Sequence, residues 1–280
     1  MNKLKTYAFE KPVIFSIILI IVIVSFTFIP MAPIFSPFLD HQSSEYVAGI
    51  FEQVFASLVL IMILKRFNLF KSAGFTSPKQ WKDLWIIWPM LLFALLNGSD
   101  LFSGNIIIDK SKPLVIVLFI LVYLSTGLFE EILCRGVVLS LMLHKWGNTK
   151  KGCYLALILS SALFGFTHII HFILNQSSLL ATVTQITYGT FIGVFFAACV
   201  LRNKTIYPAI ILHAVVDIFG DLNEIAINGG LKETYFTMSI GDALGCIIIT
   251  LPILIYGLFI FRKVTPSDLS IYTEEKFTMI

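Results

Sequence analysis

Apolar runs long enough to cross a bilayer recur along the whole chain, and they fix its class before any single residue is considered. A spanning helix needs about 20 mainly apolar residues. About eight segments meet or approach that length, at roughly 12–33, 46–64, 84–98, 113–143, 152–174, 178–201, 206–220 and 238–261. The third and seventh are short, and the fourth is long and carries charge near its middle. The chain has 280 residues, 57% hydrophobic and 13% charged, with a mean hydropathy of +0.89. That is more apolar surface than a soluble core of this size buries. The expected fold is an all-α polytopic membrane helix bundle of about eight transmembrane helices. It is expected to form one integral membrane domain over residues 1–280. The polar stretches 65–83, 221–237 and 262–280 are too short to hold cores of their own, and the last is expected to be a short cytoplasmic tail. The net charge of +3 gives no argument for a nucleic-acid partner; the expected surroundings are the lipid bilayer.

The distribution of Lys and Arg orients the bundle. Basic residues cluster at the N-terminus (Lys3, Lys5, Lys11), after the second span (Lys65 to Lys82), after the fourth (Lys145, Lys150, Lys151), after the sixth (Arg202, Lys204) and in the tail (Arg262, Lys263, Lys276). The alternate loops hold Lys110, Lys112 and Lys232 alone, and Arg135 lies within a span. This alternation predicts both termini in the cytoplasm. The first apolar run is too long for a signal-peptide core and lacks a small-residue exit, so it reads as an uncleaved anchor. No organelle-targeting pattern is evident, which points to a bacterial plasma membrane. Cys134, Cys153, Cys199 and Cys246 are scattered without a CxxC, and they read as small packing residues.

Ionisable side chains inside spans are costly, at about 2.5–3.5 kcal/mol each on insertion scales, and they mark function by default. Most of those here fall between residues 130 and 217, with Glu52 and Asp242 elsewhere. In the fourth span, Glu131 stands four residues before Arg135, one helical turn away, where the two can pair. Glu130 points about 100° around the helix and has no partner within it. It is therefore the free carboxylate and the candidate base. In the fifth span Phe164 and His168 share a face, so the ring can pack under the imidazole and exclude water. His171 lies one turn further on, as a second polar group on that face or as an interfacial residue, and reads more simply as a histidine hydrogen-bonded within the bundle. In the seventh span His213 and Asp217 are again four apart, so that Asp217 can orient the imidazole. Axial rise puts His213 about 14 Å, Glu130 about 22 Å and His168 about 25 Å from the nearest basic loop. Tilt or helices longer than the membrane would be needed to bring the three level.

Three motifs in order, Glu130-Glu131-…-Arg135, Phe164-…-His168 and His213-…-Asp217, resemble those of the CPBP family, the CAAX-processing and bacteriocin-processing intramembrane endopeptidases. The resemblance covers residues 113–220. It implies peptide-bond hydrolysis of a membrane-associated peptide or protein, in a membrane cavity opening to the cytoplasm. Glu130 and His168 would hold and activate a water, His213 with Asp217 would form the oxyanion pocket, and Glu131, Arg135 and Phe164 would support the site. An ionised Asp217 can only accept hydrogen bonds; either it carries a proton, or it orients His213 and that ring donates. A metal-free, glutamate-based hydrolase is the preferred reading. A zinc site of Glu130, His168 and His213 is the alternative. Two further readings stay open from sequence: a non-catalytic bacteriocin-immunity or scaffold protein of the same fold, and a proton-coupled transporter.

Overall fold

The computed structural model describes residues 3–231, 235–264 and 269. Lys232, Glu233, Lys276 and most of the expected tail 262–280 lie outside the described residues. Nine helices carry the fold among them: α1 (Lys3–Glu10), α2 (Pro12–Phe26), α3 (His41–Phe67), α4 (Trp88–Asn97), α5 (Pro113–Trp146), α6 (Lys150–Thr167), α7 (Leu179–Asn203), α8 (Tyr207–Gly220) and α9 (Ile240–Arg262). Isolated bridges, Ile108 to Ala226 and Ser177 to Phe236, are the only β pairing among the described residues. Helices suit such apolar segments because each backbone N–H and C=O is satisfied within its own segment. Their starts are set locally. Asp40, Thr149, Ser178 and Ser239 accept hydrogen bonds from backbone N–H groups of the first turns of α3, α6, α7 and α9. Prolines open α2, α5 and α8. Asp40 bonds both the backbone N–H and the hydroxyl of Ser43, which holds its carboxyl below the usual carboxylate range.

Among the described residues, five segments are long and apolar enough to cross a membrane: His41–Phe67, Pro113–Trp146, Lys150–Ile173, Leu179–Asn203 and Ile240–Arg262. The other three expected spans are shorter. The first expected span, 12–33, ends as a helix at Phe26, and α1 meets α2 at a bend of 113°. Leu84–Asn97 and Tyr207–Gly220 are apolar but short; the 14 residues of α8 reach about 21 Å against a hydrocarbon core of about 30 Å.

The basic segments converge at one end of the bundle. Phe9 of α1 stacks near His144 at the end of α5 and Phe67 at the end of α3, with ring centroids 4.2 and 6.0 Å apart. The loop after α3 meets the loop after α7 through Lys82 N–H to Asn203 O at 3.1 Å and an Asp83–Arg202 ion pair at 2.7 Å. Arg202 also donates to the Lys263 carbonyl at 3.2 Å. The alternate loops converge elsewhere: Asp109 N–H donates to Ile225 O, Ile227 N–H to Ile107 O, and Ser178 N–H to Phe236 O, all at 2.8–2.9 Å.

Small residues bring the helices close where the site will form. A Cβ on Gly127 of α5 would stand 2.6 Å from the Ile210 carbonyl oxygen and 3.0 Å from the Ala214 nitrogen of α8. Gly165 of α6 lies equally tight against Ile186 and Thr190 of α7. Such contacts suit helix packing in lipid, where dispersion and close approach replace the hydrophobic drive.

Candidate active site

Helix α5 carries the first motif at a change of winding. Ile132–Leu139 is π-helical, a local geometry that recurs at functional sites, and every residue from Glu131 to His144 is buried. Across this turn Arg135 Nη1 donates to Glu131 Oε1 at 2.7 Å, as the spacing predicts, with both side chains almost wholly buried. The guanidinium is held from two further sides. Its Nη2 donates to the Gly193 carbonyl at 3.3 Å. Its Cζ lies 4.4 Å from the Phe164 ring centroid and 5.5 Å from that of Phe196. A cation sandwiched by aromatic faces gains attraction from both quadrupoles in a site shielded from water.

Glu131 also makes a second contact, one that its position beside Arg135 does not announce. The same Oε1 lies 2.8 Å from His213 Nδ1, joining α5 to α8. Because a carboxylate accepts, His213 presents an Nδ1–H there, and its other nitrogen faces the remaining acids. His213 Nε2 is 3.4 Å from Glu130 Oε2 and 3.6 Å from Asp217 Oδ2. Glu131 thus holds Nδ1, the nitrogen that the spacing alone would have offered to Asp217. Asp217 flanks the outward nitrogen instead.

His168 ends α6: the helix stops at Thr167, and a short turn of helix, Ile169–Ile173, follows. Its ring packs edge-on against Phe164 at 5.8 Å, and Phe164 also meets His213 at 5.7 Å. One aromatic ring thus spaces the two histidines and contacts the arginine. Phe196 of α7 stacks on His213 at 5.5 Å. It carries no signal in the sequence, being one of 26 phenylalanines.

Glu130 and His168 face a common cavity of about 210 Å³. Its floor includes Leu133 and Cys134, and its far wall comes from α3, with Gly49, Glu52 and Gln53. Gln53 is fixed to α5 by the Ser125 hydroxyl at 2.5 Å and the Thr126 hydroxyl at 3.2 Å. His213 and Asp217 do not line this cavity; Glu130 and Phe164 are shared between it and the His213 cluster. His171 lines the cavity too, with its ring 6.0 Å from that of His168 and Nδ1 2.9 Å from Gln176 Oε1. Asp242 lies apart and serves the helix itself, forming the capping box of α9 with Ser239. Among the described residues, no group of three His, Cys, Asp or Glu side chains is placed to hold a metal ion.

The fold and site define a polytopic membrane protein with a carboxylate, two histidines and a buried Glu–Arg pair gathered inside its helix bundle. Residues 112–219 match the family model described as type II CAAX prenyl endopeptidase Rce1-like. The matched segment runs from the start of α5 to the end of α8 and holds every residue of the three motifs. No curated protein and no solved structure matches the chain.

Proposed function

We propose that this protein is an intramembrane endopeptidase that hydrolyses a peptide bond of a membrane-associated protein or peptide. The observation that carries the reading is the place of Glu130, whose carboxylate is open to the cavity it shares with His168 and 3.4 Å from His213 Nε2. Amide hydrolysis needs a base to make water nucleophilic and donors aimed at the oxygen that becomes negative. Glu130, with His168, holds a water and takes its proton as the oxygen attacks the carbonyl carbon. His213, presenting Nε2–H while Nδ1–H remains on Glu131, donates to the resulting oxyanion. The proton held by Glu130 then passes to the leaving amine nitrogen as the C–N bond breaks. Asp217 supports the Nε2 proton of His213. Glu131, Arg135, Phe164 and Phe196 fix the ring that donates.

In this reading the chain crosses the membrane eight times, with α2, Leu84–Asn97 and α8 as short spans and both termini in the cytoplasm of a bacterial cell. Short spans are compatible with a bundle that thins the bilayer around a polar site. The chemistry is glutamate-based, without a metal.

Mass spectrometry of peptide termini in membranes of cells carrying the wild type or Glu130→Gln tests the activity without a prior guess of substrate. New termini confined to the wild type support the reading. Identical termini, with both proteins expressed equally, overturn it in favour of a scaffold or immunity role. Metal analysis of the purified protein, with activity before and after chelation, tests the metal-free chemistry; stoichiometric zinc whose removal abolishes cleavage would overturn it.

A further inference from the structure

We infer that Glu52 sets the specificity of the proposed protease: its carboxylate receives the cation of a Lys or Arg side chain near the scissile bond. The substrate class is then a membrane-associated polypeptide with a basic residue close to the cleaved bond. This rests on the proteolytic reading and names the substrate of that same site.

Glu52 is an ionisable group within a span that the chemistry above leaves unused. It lies inside the apolar helix His41–Phe67 and is only 6% exposed. Acids in spans are costly; they pair with other groups or face a cavity, and they mark the path of a substrate or ion. The acids of the three motifs have partners. Glu131 pairs with Arg135, and Glu130 and Asp217 stand 3.4 and 3.6 Å from His213 Nε2. Glu52 has no such partner. Met31 turns a backbone N–H towards it, while Glu45, two turns earlier on α3, adds a like charge. Among the described residues Glu52 makes no ion pair with Lys, Arg or His. A buried carboxylate left without a counter-charge is costly, and a cation that arrives with a ligand relieves that cost.

The carboxylate belongs to the cavity in which the chemistry is proposed. Glu52 on α3 and Glu130 on α5 line the same space of about 210 Å³, and no Lys or Arg is among its described lining residues. The two walls are fixed to each other. Gln53, next to Glu52, accepts from the Ser125 and Thr126 hydroxyls, about one turn before Glu130. Gly49, one turn before Glu52, also lines the cavity and brings no side chain into the space beside it. Val24, Phe28 and Phe129 give the cavity apolar surface, on which the stem of a Lys or Arg can lie while its charged head reaches Glu52. An extended peptide advances about 3.3 Å per residue, so a side chain sharing this cavity with the scissile carbonyl belongs to a residue within about three of the cleaved bond.

The comparison of peptide termini tests this when a third arm, cells carrying Glu52→Gln, is added. Gln keeps the shape and removes the charge. Cuts that depend on Glu130 are expected to have Lys or Arg within about three residues. They are expected to fall about tenfold or more in Glu52→Gln, as when one partner of a desolvated charge pair is lost. A synthetic peptide spanning one such cut, and its twin with norleucine in place of the basic residue, separate recognition from architecture. Purified wild type is expected to cleave the basic peptide with a kcat/KM about tenfold or more above that of the twin, and Glu52→Gln to cleave the two alike. A merely loosened structure would lower both rates and leave the preference in place. Should Glu52→Gln lose its thermal midpoint, Glu52→Met, apolar and of similar length, serves with the same expectation. Equal cleavage of the twin peptides by the wild type overturns the inference, whether or not either variant folds. Glu130-dependent cuts with no basic residue nearby overturn it too, as does a preference that survives in the variant. Identical termini with and without Glu130 give a different result: they end the proteolytic reading, and the inference with it.

Discussion

Glu131 Oε1 lies 2.8 Å from His213 Nδ1, and this contact joins α5 to α8 through the centre of the site. The same oxygen receives Arg135 at 2.7 Å, with both partners of that ion pair almost fully buried. One carboxylate thus neutralises a guanidinium and fixes the tautomer of an imidazole, while its neighbour Glu130 is left to the cavity. The two glutamates part because successive helical residues point about 100° apart, and in the proposed chemistry Glu130 is the reactive one.

Replacing Glu131 by Gln should destabilise the protein strongly. The change keeps the shape but leaves Arg135 buried without a counter-charge, and breaking a buried pair in this way costs about 3–5 kcal/mol. A large fall in the thermal midpoint of detergent-purified protein is expected, along with loss of cleavage. A midpoint unchanged from wild type would mean that the pair does not hold the site.

Glu130→Gln and His168→Ala should behave in the opposite way. Neither side chain belongs to the Glu131–Arg135 pair, and both face the cavity. Loss of a general base lowers the rate by about 10²–10⁴-fold, while neither change strands a buried counter-charge as Glu131→Gln does, so the loss of stability is expected to be smaller than for Glu131→Gln. Once a substrate is identified, turnover and unfolding midpoint measured on the same preparations separate the two effects. Equal losses of stability in Glu130→Gln and Glu131→Gln would contradict the division of roles.

Phe196→Leu tests the wall that no motif marks. The ring stacks on His213 at 5.5 Å and lies 5.5 Å from Arg135 Cζ. Leu keeps most of the volume and removes the quadrupole, so a loss of about 0.5–2 kcal/mol is expected from the cation–π contact. A modest drop in unfolding midpoint should accompany reduced turnover, since His213 loses its stacking partner. An unaltered turnover number would show that Glu131 alone suffices to orient the ring.

What could be read from the sequence was what depends on local spacing. Glu131 and Arg135 pair because they are one turn apart, and Phe164 meets His168 for the same reason. The contacts that required knowledge of helix crossings were not legible. His213 and Asp217 are also one turn apart, yet Asp217 flanks Nε2 while Nδ1 is taken by Glu131 from another helix. Glu52 and Gln53 stand in the second apolar run, far from the motifs in sequence, and join the cavity only because α3 packs against α5. The π-helical turn at Ile132–Leu139 has no distinguishing residue pattern. Hydropathy located the apolar helices, but could not show that the helix of the first, 12–33, would end at Phe26 or that a further helix, α1, would meet it at a bend of 113°.

Gly127 sets the separation of the two helices that carry Glu130 and His213, and its replacement gives the sharpest geometric test. It lies one turn before Glu130 on α5, and the atoms that its Cβ would meet, Ile210 O at 2.6 Å and Ala214 N at 3.0 Å, are backbone atoms of α8 on either side of His213. Backbone cannot swing away as a flexible side chain can, so the helices themselves must part. Overpacking of this kind costs about 1–3 kcal/mol. A shift of even a few tenths of an ångström lengthens the contact of 3.4 Å between Glu130 and His213 and that of 2.8 Å between Glu131 and His213. Gly127→Ala is therefore expected to lower both stability and turnover without changing a charge or a catalytic group. Gly245→Ala on α9 is the control, because a Cβ there meets nothing within 4 Å, and Ala is favoured over Gly in a helix by about 1 kcal/mol. Midpoints and turnover measured side by side should show Gly245→Ala at or above wild type and Gly127→Ala below it in both. If Gly127→Ala keeps full turnover, the close crossing of α5 and α8 is not what aligns the site.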